Sequence, residues 1–175
     1  MGPTSDAFRT VMGHFVTGVT VVTTHDGVRP HGITVNALSS VSLEPPLVMV
    51  ALDRRRRITP FVRSVGRFGV NVLGEDQQAL SDCFAGAPVE PDREAFCGAA
   101  WRAGSTGVPL LDGAIATLEC VTVDVIPAGD HDLFIARVEA LADEAEHPMP
   151  LLYYRRRYLR VERSRELDLE GWPER

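Results

Sequence analysis

The residues of this chain best suited to chemistry are its clustered cations. Asp53-Arg54-Arg55-Arg56-Arg57-Ile58-Thr59-Pro60 places four consecutive guanidinium groups just ahead of a helix start. Arginines beside a helix N-terminus make a phosphate site, because planar N–H forks and outward-pointing backbone N–H groups both suit an oxyanion. At least two of the four are expected to be merely solvated. A second cluster, Tyr154-Arg155-Arg156-Arg157-Tyr158, flanks three cations with rings. Rings that stack on bases beside cations that hold phosphate suit nucleotides, single-stranded nucleic acid included. His131 lies on the polar turn 127–132, where a lone histidine is ordinarily just exposed. Thr34-Val35-Asn36-Ala37 and Ser39-Ser40 carry short side chains that let backbone N–H groups approach a ligand. On spacing alone they read as a polar strand edge.

Several familiar machines are missing. No Gly-x-Gly-x-x-Gly follows the first strand, no Walker loop is present, and no Gly-x-Ser-x-Gly elbow appears. The histidines are scattered and none are paired at metal-ligand spacing, so no metal site is expected. Any activity must come from a bound cofactor or from a constellation without a short motif.

The elements that would position these residues follow from periodicity. Phe8, Val11, Met12 and Phe15 recur at helical spacing behind the caps Thr4, Ser5 or Asp6. Val19–Thr24 is β-branched, His25-Asp26-Gly27 is a turn, and 32–42 is again β-rich until Glu44-Pro45-Pro46. Leu47–Leu52 is a continuous apolar run, the pattern of a strand buried on both faces. Thr59 as cap and Pro60 as first helical residue open a short helix that stops at Gly66. Phe68, Val70 and Val72 alternate. Residues 75–85 read as a helix with Leu80, Cys83 and Phe84 inward and Gly86 as its stop, and 87–114 as irregular. Two alternating strands surround the 127–132 turn, an acidic loop covers 143–150, and 151–161 is a last β-like segment. About six strands and three helices, with hairpin-like spacing, predict a mainly β, antiparallel barrel with peripheral helices.

The bulk numbers bound the classes. A chain of 175 residues with 45% hydrophobic and 24% charged residues fits one globular domain, 1–175, with a core of about 7–160 and a polar tail over 162–175. A net charge of −6 disfavours a nucleic-acid partner, because phosphate contacts supply most of such affinity. Cys83, Cys97 and Cys120 are odd in number and not close in sequence, so three reduced thiols in a cytoplasmic protein are expected. No secretory segment or membrane-length apolar run is read, and Asp6 stands where a myristoylation signal needs Ser or Thr.

Five blocks in order then carry a resemblance. His31-Gly-Ile-Thr-Val-Asn-Ala-Leu-Ser-Ser-Val-Ser-Leu-Glu-Pro-Pro-Leu-Val-Met-Val-Ala-Leu-Asp53, preceded by Phe8-Arg9 and Phe15–Val22, resembles the signature of the flavin reductase-like family. Gly66–Leu73, Gly129-Asp-His-Asp-Leu-Phe-Ile-Ala-Arg-Val138 and Pro150-Leu-Leu-Tyr-Tyr154 are similar to its later segments. The likeness covers roughly residues 7–160. It implies an FMN-binding split β-barrel with Greek-key-like connections, a homodimer, and reduction of FMN or FAD by NADH or NADPH. The reduced flavin would then feed a separate flavin-dependent monooxygenase.

The resemblance also implies a site. Thr34, Val35, Asn36, Ala37, Ser39 and Ser40 would meet the flavin's polar rim. Leu52, Asp53, Arg54, Arg57, Ile58 and Thr59 would surround its phosphate end. Family members often carry serines where Arg55 and Arg56 stand, and Ile58 replaces a threonine. Phe84 would cover the flavin or serve as plain core, and His131 would lie near the nicotinamide or the flavin ring. Tyr154, Arg155, Arg156 and Arg157 would take adenine and pyrophosphate of NAD(P)H. Hydride transfer is the cofactors' own chemistry, so the missing acid–base motif is consistent with this reading. The competing readings are a non-catalytic flavin- or haem-binding split barrel and a phosphate- or nucleic-acid-binding module.

Overall fold

The computed structural model describes residues 2–87, 95–144 and 149–161. Helix α1 (Ser5–Met12) starts at Thr4, whose hydroxyl accepts the Ala7 N–H at 3.2 Å. Strands β1 (Thr17–Gly18), β2 (Thr20–His25), β3 (Pro30–Val35), β4 (Leu38–Leu43) and β5 (Pro46–Asp53) lead into α2 (Thr59–Val65) and β6 (Arg67–Val72). Helix α3 (Gln78–Ala85) is followed by a 3-10 turn (Ala95–Gly98), the hairpin β7 (Trp101–Ala103) and β8 (Pro109–Leu111), and the long hairpin β9 (Ala116–Ala128) and β10 (His131–Asp143). A short hairpin, β11 (Leu152–Tyr154) and β12 (Arg157–Leu159), completes the described chain.

Seven strands form the main sheet in the order β3-β2-β6-β9-β10-β5-β4, every pairing antiparallel. Its curled interior is filled from β2, β5, β6 and β10 by Val22, Val50, Leu52, Phe68, Val70, Phe134 and Ala136. β3 and β4, consecutive in sequence, are the two edge strands. They are joined across Asn36-Ala37, where Ala51 N–H donates to the Ala37 carbonyl at 3.1 Å. The expected mainly β, antiparallel architecture with peripheral helices is what the chain adopts.

Several expectations are corrected. The β-rich run 32–42 is two strands, because the chain turns a corner at Asn36-Ala37. The Leu47–Leu52 run is fully buried on one face only: Val48, Val50 and Leu52 point inward, while Leu47, Met49 and Ala51 are half-buried. Thr59 does not cap α2. Ile58 holds that position, and the Thr59 hydroxyl donates to the Asp53 carbonyl at 2.7 Å. Helix α3 starts three residues later than its apolar pattern suggests, after Gln77 folds back to accept the Gly74 N–H. The segment 87–114 is not wholly irregular, since it contains β7 and β8. Asn71 organises that hairpin from the core. Its Nδ2 donates to the Val21 carbonyl at 2.9 Å, and its Oδ1 accepts the Leu111 N–H at 2.7 Å. Gly69 lets the hairpin close, because a Cβ there would sit 2.6 Å from Thr23 Oγ1 and 2.8 Å from the Pro109 carbonyl.

The cysteines differ from expectation too. Cys83 on α3 and Cys97 in the 3-10 turn form a disulfide, with Cα atoms 6.0 Å apart. A left-handed backbone at Phe96 and Cys97 (φ 53° and 56°) turns the chain back onto α3, a closure that sequence separation hides. Cys120 is free and buried; burial, helped by neighbouring Glu119, pushes its thiol up to about 12. No described helix is long and apolar enough to cross a membrane.

Candidate active site

The β5–α2 loop carries the arginine run, and the structure divides the four guanidiniums by task. Arg55 folds back on Asp53, 2.8 Å from its carboxylate, while Asp53 Oδ1 accepts the Arg55 N–H at 2.9 Å. These bonds, the side-chain one first, hold the Asp53 carboxyl well below the usual carboxylate range. Arg54 turns the other way. It donates to the carbonyls of Gly129 and His131 and lies 3.1 Å from the buried carboxylate of Asp132, which also takes Arg63 of α2 at 2.7 Å. Arg54 therefore pins the loop to the β9–β10 turn. Arg56 and Arg57 have neither an ion pair nor a side-chain hydrogen bond among the described residues. They border a crevice of about 190 Å³ walled by Gly32 and Ile33 of β3, Phe84 at the end of α3, and Gly86.

The crevice runs along the open edge of β3. Among the described residues that strand pairs only with β2, and none of them pairs with its other side. Helix α3 is tied down by Thr34, whose hydroxyl donates to the Ser81 carbonyl at 2.6 Å, and by Ser81 Oγ, 2.9 Å from the Tyr158 hydroxyl. Burial and the adjacent Asp82 raise the Tyr158 phenol, which stays protonated at neutral pH. Further along β3, a hollow of about 180 Å³ is bordered by Thr34, Asn36, Ala85, Tyr153 and Tyr158. Asn36 and Ala37 are exposed at the strand corner, and Ser39 and Ser40 lie exposed on β4.

The expected site residues thus separate into groups. Thr34, Asn36 and Arg57 border the crevice or its continuation. Ile58 touches its floor, yet Ile58, Val35 and Leu52 are buried in the barrel core, so their side chains serve packing more than ligand contact. Thr59 is buried with its hydroxyl spent on Asp53. Phe84 is 8% exposed, its ring filling the space over Gly32, where a Cβ would stand 2.5 Å from it, and it borders the crevice. Tyr154–Arg157 is not a linear cluster. Arg155 and Arg156 form the tip of the β11–β12 hairpin with φ 47° and 63°, and Tyr154 meets the ring of His14 edge-on. His131 pairs in register with Asp53, and its Nδ1 is 2.7 Å from Asp130 Oδ1; it is not among the residues that line the crevice.

Three contributors carried no clear sequence signal. Arg56 looked interchangeable with its neighbours. His31 borders the crevice because the β2–β3 hairpin brings Asp26 within 2.9 Å of its Nε2 and α2 stacks Phe61 on its ring at 4.6 Å. Trp101 borders a neighbouring cavity of about 570 Å³ that shares Arg57 and His31 with the crevice, and arrives there only through the unanticipated β7–β8 hairpin.

An antiparallel barrel with two neighbouring edge strands, a crevice along one of them and unpaired guanidiniums at its mouth defines a class, the split-barrel flavin proteins. Residues 12–162 match the flavin reductase like domain, and the chain belongs to that family. It is 45% identical over 144 residues to an NADH-dependent flavin reductase from a Rhodococcus species, covering 81% of this chain and 78% of that one. It is 40% identical over 157 residues to the reductase subunit of a flavin-dependent monooxygenase from Mycobacterium tuberculosis, covering 89% and 81%. Among solved structures, nitrilotriacetate monooxygenase component B from Mycobacterium thermoresistibile superposes with a TM-score of 0.88 at 36% identity, covering 97% of this chain and 92% of the other. The chain is an enzyme, a flavin reductase, which supports that reading over the non-catalytic carrier.

Proposed function

We propose that this flavin reductase uses NADH, or NADPH, to reduce FMN or FAD in the crevice along β3, and that the reduced flavin passes to a separate monooxygenase component. The observation that carries the placement is the pair Arg56 and Arg57, two unpaired cations at the mouth of a crevice whose wall is an open strand edge. The residues present fit a flavin. The free edge of β3 and the exposed Asn36 amide suit the polar rim of the ring, Ile33 and Phe84 suit its apolar face, and Arg56 and Arg57 suit its phosphate. Hydride transfer, two electrons and one proton moving from a dihydronicotinamide to the flavin, is chemistry that both substrates bring with them. The chain's part is to hold, orient and shield. Arg54, bound to the β9–β10 turn, keeps Arg56 and Arg57 facing the crevice. His131 and the Tyr154–Arg157 hairpin are assigned to the nicotinamide side, outside the crevice itself.

The partner assignment follows the monooxygenase reductases among the relatives. A homodimer is supported by surface that no described residue covers: Phe8, Val11 and Phe15 are 60%, 69% and 70% exposed, as are Leu43 at 90% and Leu141 at 73%. Phe8 and Val11 lie at helical spacing on one face of α1, and an exposed apolar face of this kind suits an interface. The test is direct. Purified protein with NADH or NADPH and free FMN or FAD should oxidise the nicotinamide only when flavin is present, and Arg56→Glu with Arg57→Glu should raise the flavin KM by at least tenfold. Flavin-independent oxidation, or none at all, rejects the reading.

A further inference from the structure

Among the described residues, no hydrogen bond joins helix α3 to the 3-10 turn Ala95–Gly98. The backbone bond at the end of the turn, from the Ala99 N–H to the Phe96 carbonyl at 3.0 Å, is local. What ties the two together is the disulfide between Cys83 and Cys97, 14 apart in sequence. The turn depends on such a tie. Phe96 and Cys97 both stand in the left-handed region, φ 53° and 56°, which is unfavourable for residues with a Cβ. Conformations of that kind persist where the surroundings over-determine them.

The held segment reaches the flavin crevice. The Phe96 ring meets the Phe84 ring edge-on at 5.1 Å. Phe84 follows Cys83 on α3, fills the space over Gly32 of β3 and borders the crevice. Phe96 and Cys97 pack against the same buried cluster that contains Phe84. Packed side chains therefore run without a break from the disulfide to the crevice wall.

The bond is also open to attack. Cys83 and Cys97 are half-buried and border a cavity of about 310 Å³. Its charged lining is Asp76 and Asp112, so an anionic thiol is repelled, whereas a neutral dithiol brings only the charge of its attacking thiolate. Cys120 does not take part. It is buried on β9, and burial pushes its thiol up to about 12, which keeps it from forming the thiolate that exchange requires. An enzyme that draws on reduced nicotinamide works among reductants, and in such surroundings disulfides are mostly reversible.

We propose that Cys83 and Cys97 form a reversible dithiol–disulfide site that sets how tightly the crevice holds flavin, tight with the bond closed and loose with it open. The proposal rests on the flavin reductase reading and adds a control to that same site. The step is exchange with a neutral dithiol. A thiolate of the dithiol attacks one cysteine sulfur, the Cys83–Cys97 bond breaks and a mixed disulfide forms. The dithiol's second sulfur then closes on its first, so two electrons and two protons pass to the protein, leaving two cysteine thiols and a cyclic disulfide. With the tie gone, Phe96 relaxes out of the left-handed region and Phe84 loses the ring packed against it.

The test compares the two redox forms of the wild type. Folded protein is treated with dithiothreitol, desalted and assayed for nicotinamide oxidation at varied flavin. Thiols counted after denaturation should rise from one to three. The flavin KM should rise about fivefold with kcat changing less, and reoxidation with diamide should restore both values. Hydrogen exchange across residues 95–100, read by mass spectrometry, should quicken at least fivefold on reduction. Glutathione should open the bond more slowly than dithiothreitol at equal thiolate concentration. Cys83→Ser with Cys97→Ser should show the KM of the reduced form and no response to dithiothreitol. A thiol count that stays at one in the treated folded protein overturns the proposal, as does a KM unchanged within about twofold once three thiols are counted. No nicotinamide oxidation by either form with either flavin would instead overturn the reading beneath it, while the thiol count and hydrogen exchange would still judge the switch.

Discussion

Asp132 should control both the stability of the barrel and the grip of its flavin site, and Asp132→Asn separates the two. The carboxylate is 4% exposed and takes Arg54 at 3.1 Å and Arg63 at 2.7 Å, whereas the two guanidiniums are 44% and 50% exposed. A hydrogen bond to a charged group contributes about 1.5–3 kcal/mol. Water reaches both arginines, so it replaces part of each bond on loss of the charge. We therefore expect a total loss of about 2 kcal/mol, roughly a 4–8 °C fall in Tm for a domain of this size. The second consequence is local. With Arg54 loosened, the 54–57 loop no longer holds Arg56 and Arg57 against the crevice, and the flavin KM rises about fivefold to tenfold while kcat changes less. Arg63→Ala removes one partner of Asp132 without touching the loop, and should cost about 1 kcal/mol with no change in flavin KM. Thermal melting and steady-state nicotinamide oxidation at varied flavin read both quantities. An Asp132→Asn protein melting within 1 °C of wild type (about 0.3 kcal/mol) would refute the energetics. An Arg63→Ala variant with an equally raised KM would refute the role given to Arg54.

Other outcomes follow from the same structure. Denatured protein prepared without reductant should show one reactive thiol, Cys120, and three after reduction. Replacing both Cys83 and Cys97 by serine should cost about 3 kcal/mol, the closure term for a loop of this length. Gly69→Ala should destabilise by about 1–3 kcal/mol, because its Cβ meets the Pro109 carbonyl and Thr23 at distances that force a backbone shift; a variant melting like wild type would count against the tight β6–β8 approach. Glu119 is buried, which favours its neutral form, but hydrogen bonds from the Thr106 and Ser105 side chains and N–H groups outweigh that and lower it. Its contribution is therefore complete above the ordinary value of 4.5 and lost as pH falls through the depressed one. Acid unfolding followed by circular dichroism should be shallower in Glu119→Gln, and identical pH profiles would contradict this. Phe8→Asp, on the exposed apolar face of α1, should shift the protein toward monomer in light scattering, and an unchanged mass would count against α1 as the proposed dimer contact.

What could be read from the chain alone was what is written in local pattern. Alternating Val and Phe at 68–72 and 134–138, the hairpin at Asp26-Gly27, the glycine stops of α2 and α3, and the run at 47–52 are all short-range signals, and each fell where the structure puts an element. The five ordered blocks pointed to the family for the same reason, since they lie on strands and turns within the matched residues 12–162. What tertiary structure decided was the task of each cation. Arg54 to Arg57 are indistinguishable in sequence, and only the arrival of the β9–β10 turn, 75 residues on, takes Arg54 for the loop and leaves Arg56 and Arg57 for a ligand. The same holds for Cys83 and Cys97, for His31 against Asp26 and Phe61, and for a hairpin that brings Trp101 to the cavity. Local periodicity reports which face a residue turns inward. Which distant partner it meets there depends on how separate strands close into a barrel, and no short stretch of sequence encodes that.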